Sequence, residues 1–364
     1  MTERLYNFSA GPAVLPEAVL RKIRDDLLSL PGVGMSVMEI SHRSDEYRAI
    51  QNAAAENLRT LLKISDSYRI LFLQGGSRLQ FSMIPMNLLR GTGRIANYIL
   101  TGTWGQKAYQ EAVKEGEVHA CADCSQSGYS RLPAAGEIQL HDPVAYVHLT
   151  SNETIEGVQF KSEPAIGDAT LVCDASSDFL CRPLPIERYG MIYACAQKNA
   201  GVAGVTVVIM HDDLVSRGQD DLPGYLNYRS HAENDSLFNT PPTFAVYVMK
   251  LVTDWLLGEV GGLEDIHQRN QAKSAMLYEA IDQSNGFYVG HAEPAARSIM
   301  NVTFRLNNDE QQAAFLEAAR SRDLVNLLGH RSVRGIRASI YNAMPEQGVT
   351  ALRDLMQDFR REHS

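Results

Sequence analysis

YGMIYACAQKNAGVAGVTVVIM, residues 189–210, holds two apolar runs on either side of a small, glycine-bearing turn, and Lys198 is its only charged residue. GMIYACAQKNAG (190–201) and VTVVIMHD (205–212) read as two strands. Their apolar positions are consecutive rather than alternating, the pattern of strands covered on both faces. Lysine is scarce in this chain, with eight in 364 residues, so its placement here carries information. Burial disfavours an ammonium, and a neutral amine adds to an aldehyde to give an imine. A lysine reaching the surface from a strand end would produce the same segment, and the segment alone leaves the two readings balanced.

Working outward, YRILFL (68–73), RIANYILTG (94–102), VAYVHLTSN (144–152) and ATLVCDASS (169–177) read as further strands. Helical patterns separate them: Asp45–Leu62 before the first, the residues after QGGS, and WGQKAYQEAVKEG. Glu17–Leu30 reads as a helix closed by PGVG, after a turn-rich arm, NFSAGPAVLP. Strand–helix alternation over 68–215 predicts the α/β class, with a mostly parallel sheet of seven-stranded type flanked by helices. Residues 244–283 are helical in pattern. Beyond about 285, SIMNVTFRL, EQQAAFLEAARSR and GIRASIYNA predict a smaller α/β C-terminal domain. The expected organisation is an arm 1–15, a large domain 16–262 and a small domain 263–364.

The formal net charge is −9 and the basic residues are scattered. That excludes a nucleic-acid or anionic-membrane surface but not a local anion pocket. No apolar stretch of ~20 residues is present, and MTERLYNFSAGPAVLP lacks a signal-peptide core. The five cysteines, Cys121, Cys124, Cys173, Cys181 and Cys195, then read as reduced thiols of a cytoplasmic protein. CADC (121–124) has redox or metal spacing, but no second pair accompanies it. It reads as incidental, and no metal site is expected.

Several residues stand out by context. Asp174 ends the apolar run LVCD, where carboxylates at strand C-termini face the ligand crevice of an α/β sheet; an Asx turn in DASSD is the alternative. Gly75, Gly76, Ser77 and Arg78 join a strand to a helix, and backbone amides at such a turn bind phosphate. A two-glycine turn is also common without a ligand. Trp104, in TGTW, suits stacking on an aromatic ring or plain core packing. Arg43 in SHRS, and His330, Arg331, Arg334 and Arg337 in GHRSVRGIRAS, lie in loops rather than along a helix face. Guanidinium forks there fit carboxylate and phosphate groups, against the alternative of solvated surface charge.

The sequence closely resembles the phosphoserine aminotransferase family, of the fold-type I, class V pyridoxal-phosphate enzymes. The resemblance runs end to end through NFSAGPAVLP, MSVMEISHRS, QGGSRLQF, TGTWGQKA, HLTSNETIEGVQF, CDASSDFLCRP, YACAQKNAGVAG, FNTPPTFAVYV and GHRSVRGIRASIYNAM. AQKN, NTPPTF and the last stretch are the most specific. Departures such as DASS for DMSS are conservative or lie beside the key positions. The resemblance implies pyridoxal 5′-phosphate joined to Lys198, Asp174 on the pyridine nitrogen, Trp104 on the ring and Thr154 on the ring hydroxyl. It assigns the cofactor phosphate to Ser77, Arg78 and Gln197, with Asn239 and Thr240 from the other subunit of a homodimer. Substrate carboxylate and phosphate fall to Ser9, His42, Arg43, Arg78 and Arg337, with His330 and Arg331 from the partner. The implied reaction moves an amino group from L-glutamate to 3-phosphohydroxypyruvate, with Lys198 shuttling the proton. The related phosphorylated oxo acid of pyridoxine synthesis is an implied second substrate. An alanine- or serine-glyoxylate aminotransferase, or a cysteine desulfurase, is the alternative. A desulfurase needs a late-loop cysteine, and every cysteine here lies at or before 195.

Overall fold

The computed structural model describes residues 4–363. Seven strands form its central sheet: β1 Tyr68–Leu73, β2 Ile95–Leu100, β3 Glu117–Asp123, β4 Val144–Thr150, β5 Leu171–Asp174, β6 Met191–Cys195 and β7 Thr206–His211. Their spatial order is β1-β7-β6-β5-β4-β2-β3. β7 runs antiparallel to its neighbours β1 and β6, and the other pairings are parallel. Every residue of β2, β5 and β6 is buried, which is why these strands read as unbroken apolar runs. β3 does not read as a strand in the sequence. It lies at the sheet edge, and Cys121 and Ala122 are its only buried residues.

Successive side chains alternate between two helical layers. Ile99, Cys173, Ala194 and Val207 pack with α2 (Asp45–Leu62) and α5 (Thr243–Trp255). Tyr98, Val172, Tyr193 and Val208 pack with α3 (Gly76–Leu88) and α4 (Thr103–Ala112). The first helix, α1, covers only Glu17–Asp26, four residues short of the expected stop. The helical stretch after 243 is not continuous. Gly261 and Gly262, with φ of 99° and 104°, break it before α6 (Leu263–Asp282).

A second, antiparallel sheet has the order β8 (Val289–Gly290), β9 (Asn301–Arg305), β10 (Ile336–Ser339). It packs with α6, α7 (Asp309–Arg320) and α8 (Glu346–His363) around Leu277, Phe304, Phe315, Leu352 and Phe359. The arm joins this core: Phe8 is buried in it, and Tyr6–Asn7 pairs with Leu324–Val325. Among the described residues no helix is long and apolar enough to cross a membrane.

The segment after β10 links this second core to the lysine loop. Asn342 N–H donates to Asn199 Oδ1 (3.0 Å), and Asn342 Nδ2 donates to Leu180 O (2.8 Å). Tyr341 OH donates to Ala10 O (2.8 Å). Lys273, buried on α6, holds that segment through the carbonyls of Ile340, Tyr341 and Met344 at 3.1, 2.8 and 3.1 Å. Removing the ammonium strands those carbonyls in a dry interior. Lys273→Met should lower unfolding stability by about 3 kcal/mol in urea titrations; a loss below about 0.5 kcal/mol, within surface-substitution scatter, would contradict this role.

Candidate active site

The C-terminal ends of the parallel strands open onto one crevice, the general ligand position of open α/β sheets. A cavity of about 460 Å³ lies there. β6 delivers Lys198, β5 ends on Asp174, β4 runs into Asn152 and Thr154, β2 leads to Trp104, and the β1–α3 turn brings Gly75–Arg78; all line the cavity.

Lys198 is half-buried, and its Nζ donates to Thr154 Oγ1 at 2.7 Å. It stands 6.0 Å from the centre of the Trp104 ring. Gly11 of the arm closes over the lysine stem: a Cβ there would sit 3.5 Å from Lys198 Cγ.

Asp174 is 3% exposed. Its Oδ1 accepts from Ser176 N–H (2.9 Å) and Ser176 Oγ (2.5 Å). Ser176 Oγ lies 2.6 Å from Ser77 Oγ, so one serine bridges the buried acid to the glycine turn. Burial pushes the Asp174 carboxyl up, against the lowering pull of Ser176 and Lys198. The turn itself needs glycine. Gly75 caps α3 at φ 89°, and a Cβ would meet the Leu79 side chain at 2.5 Å. The free N–H groups at the start of α3, with Arg78 on the same cavity wall and 6.0 Å from the Trp104 ring centre, suit an anion.

This wall fits pyridoxal phosphate. It offers an amine, a buried acid, an anion cradle and a flat indole. Three residues of the wall, Trp104, Thr150 and Asn152, also carry a buried polar atom without a hydrogen-bond partner.

Ser77, Arg78, Trp104, Thr154, Asp174, Gln197 and Lys198, singled out in the sequence, therefore line one cavity, together with His330 and Arg337. Ser9 does not line it, though its neighbours Ala10 and Gly11 do. His330 lines its own chain's cavity, where residues 326–335 fold back onto β10, which also carries Arg337. Arg331 lines an adjoining cleft with His330 and Arg337. His42 and Arg43 sit in the turn before α2 and do not line the cavity. Asn239 donates to Gln74 Oε1 (3.2 Å), just outside the glycine turn, and neither it nor Thr240 reaches the wall.

Sequence reasoning misses Asn152, Ser176, Glu153, Glu156 and Lys107. Each lies within a motif already singled out, NETIEG, DASS or TWGQKA, but its neighbours there are mostly polar or small and give it no contrast. Lys107, one turn after Trp104, has its Nζ 4.4 Å from the indole centre. Burial, Arg78 and Arg331 pull its pKa down. Burial, Arg337, Lys107 and Arg331 do the same to His330. Cations crowded in this way mark a place for an anion.

A carboxyl raised by burial weakens the fold once pH exceeds the unfolded value, 3.8 for aspartate, and weakens it increasingly up to the folded one. Asp174→Asn removes the charge and keeps an acceptor for Ser176. The apoprotein variant should melt about 2 °C above wild type at pH 7, with the gap closing towards pH 4. An equal or lower melting temperature at pH 7 would contradict this.

The class-V aminotransferase family profile matches residues 5–352. The chain is 54% identical over 363 residues to the phosphoserine aminotransferase of Rhodopirellula baltica, covering all of this chain and 96% of that one. It superposes on the phosphoserine aminotransferase structure from Bacillus circulans subsp. alkalophilus with a TM-score of 0.97 at 47% identity, covering both chains fully. The PLP-bound phosphoserine aminotransferase of Trichomonas vaginalis superposes at 0.93 with 39% identity, over 97% of this chain and all of that one. With the cavity built as described, the chain belongs to the class-V aminotransferases, as one of their phosphoserine aminotransferases.

Proposed function

We propose that Lys198, Asp174, Thr154, Trp104 and the Gly75–Arg78 turn hold pyridoxal phosphate, and that the cations at the rim hold the substrate's anionic groups. The reaction is the family's: an amino group passes reversibly from L-glutamate to 3-phosphohydroxypyruvate, giving 2-oxoglutarate and O-phospho-L-serine. The carrying observation is that three separate elements, β6, β5 and the β1–α3 turn, bring an amine, a buried acid and an amide cradle into one cavity.

When bound, the cofactor supplies an aldehyde and a ring that withdraws electrons from the substrate's Cα. Lys198 Nζ would hold it and, once freed by the incoming substrate, would carry the proton between the substrate's Cα and the cofactor's C4′. Asp174 holds a proton on the ring nitrogen. Thr154 Oγ1 orients the lysine, and the Trp104 indole forms one wall and excludes water. Arg337 faces the substrate carboxylate, where a planar fork binds two oxygens at once. His330, Arg331 and Arg78 suit a phosphate. The phosphorylated four-carbon oxo acid of pyridoxine synthesis presents the same two groups and belongs to the proposal as a second substrate. In a desulfurase a mobile cysteine would stand in the loop 326–335, which has none.

The proposal includes a homodimer. His42, Arg43, Asn239 and Thr240 fall short of their own cavity, and Met35, Met38 and Phe238 beside them are exposed apolar side chains. A second copy seated there would cover those residues and carry the polar groups to its neighbour's rim. The five buried free thiols accord with the cytoplasm.

With glutamate and 3-phosphohydroxypyruvate, a coupled assay should show 2-oxoglutarate formation that is lost in Lys198→Ala together with the cofactor's absorbance band. Arg337→Ala should keep the band and lose roughly 10- to 100-fold in kcat/KM, the cost of a charge-assisted contact. A wild-type protein that forms no 2-oxoglutarate, or an Arg337→Ala protein that loses the band, would contradict the assignment.

A further inference from the structure

The short hairpin of Asn152–Glu153 and Val158–Gln159 buries two carboxylates under the N-terminus of α4. Glu153 uses both oxygens: Oε2 accepts from Trp104 N–H (3.0 Å) and Oε1 from Gly105 N–H (2.8 Å). Glu156 uses one. Its Oε1 accepts from Thr103 N–H (3.1 Å) and Thr103 Oγ1 (2.6 Å), and its Oε2 is buried without a partner. The two acids meet at Gly102. A Cβ there would stand 2.5 Å from Glu153 Cδ and 2.7 Å from Glu156 Oε2, so the carboxylates fill the space a side chain would take.

Two full negative charges so near one another exceed what a helix N-terminus, with roughly half a positive charge, offsets. The other groups facing the pair are Lys107 on α4, Arg337 on β10, Asp174 on β5, His291 before β9, and the Tyr129 hydroxyl. Burial pushes both carboxyls up, Glu153 the further because the charge of Glu156 adds to the effect. The hydrogen bonds decide which acid keeps the charge: Glu153 accepts a backbone N–H on each oxygen, which favours its ionised form, whereas Glu156 Oε2 accepts none.

We propose that the pair shares one proton, carried on Glu156 Oε2, and that the ionised Glu153 and the neutral Glu156 together set the helix turn that presents the Trp104 indole to the cavity. Both are positioning residues, and the inference rests on the reading of Trp104 as the ring-facing wall. Gln mimics a protonated Glu156, keeping the acceptor for Thr103 and a donor in place of the O–H. In Glu153, Gln would set an NH₂ group against a backbone N–H and delete the anion.

The test uses a Trp255→Phe background, which leaves Trp104 as the only tryptophan. Trp104 emission and near-ultraviolet circular dichroism are read on the apoprotein, and pyridoxal phosphate affinity is titrated separately. Glu156→Gln should match the background in both, with affinity within about twofold, whereas Glu153→Gln and Glu156→Ala should shift the indole signals and weaken cofactor binding roughly tenfold. Equal disturbance by both glutamine variants would overturn the proposal, as would a silent Glu153→Gln. Shifted indole signals with unchanged affinity would uphold the shared proton and count against Trp104 as the ring wall. Should Glu153→Gln not fold, infrared spectra decide. Wild type at pH 7 should show a protonated-carboxyl carbonyl band that Glu156→Gln lacks, and identical spectra would overturn the proposal.

Discussion

A buried carboxylate at the end of a central strand organises this molecule. Asp174 cannot be left in the interior without partners, and the structure provides them from its own turn. Ser176 saturates one oxygen and, through its hydroxyl, reaches Ser77 in the glycine turn. The acid proposed for the ring and the cradle proposed for the phosphate are thereby one hydrogen-bonded unit, spaced by the β5–β6–β7–β1 strand sequence between them. Lys198 completes it from β6, the strand next to β5. A sheet whose parallel strands end on one side makes such convergence possible.

What the sequence discloses and what it hides follow from contrast. β2, β5, β6 and β7 are legible because burial on both faces demands unbroken apolar runs. Lys198 and Asp174 are legible because a charge interrupts those runs. Edge strand β3 has water on one side and so resembles a loop. Ser176, Glu153, Glu156 and Lys107 sit among mostly polar or small residues, and only their burial and partners in three dimensions single them out. The place of His330 beside Arg337 in the cavity lining depends on how residues 326–335 return to β10, a long-range path that no local pattern encodes.

The rim explains why the cations have remained so close. Arg78, Lys107, His330, Arg331 and Arg337 come from α3, α4, the loop before β10, and β10 itself, and the arginines disfavour the charged forms of Lys107 and His330. An anion would relieve that repulsion, which is why the proposed doubly anionic substrate suits this rim. Lys273 holds the segment after β10 against the lysine loop, and this couples the second core to the cavity floor.

The central claim is that Lys198, and no other lysine, joins the cofactor. Borohydride reduction of the pyridoxal-phosphate-loaded protein, followed by peptide mass mapping, tests it directly. The account predicts a phosphopyridoxyl group on the peptide containing Lys198 alone. The group on Lys107 or Lys273, or no stable adduct at all, would contradict it.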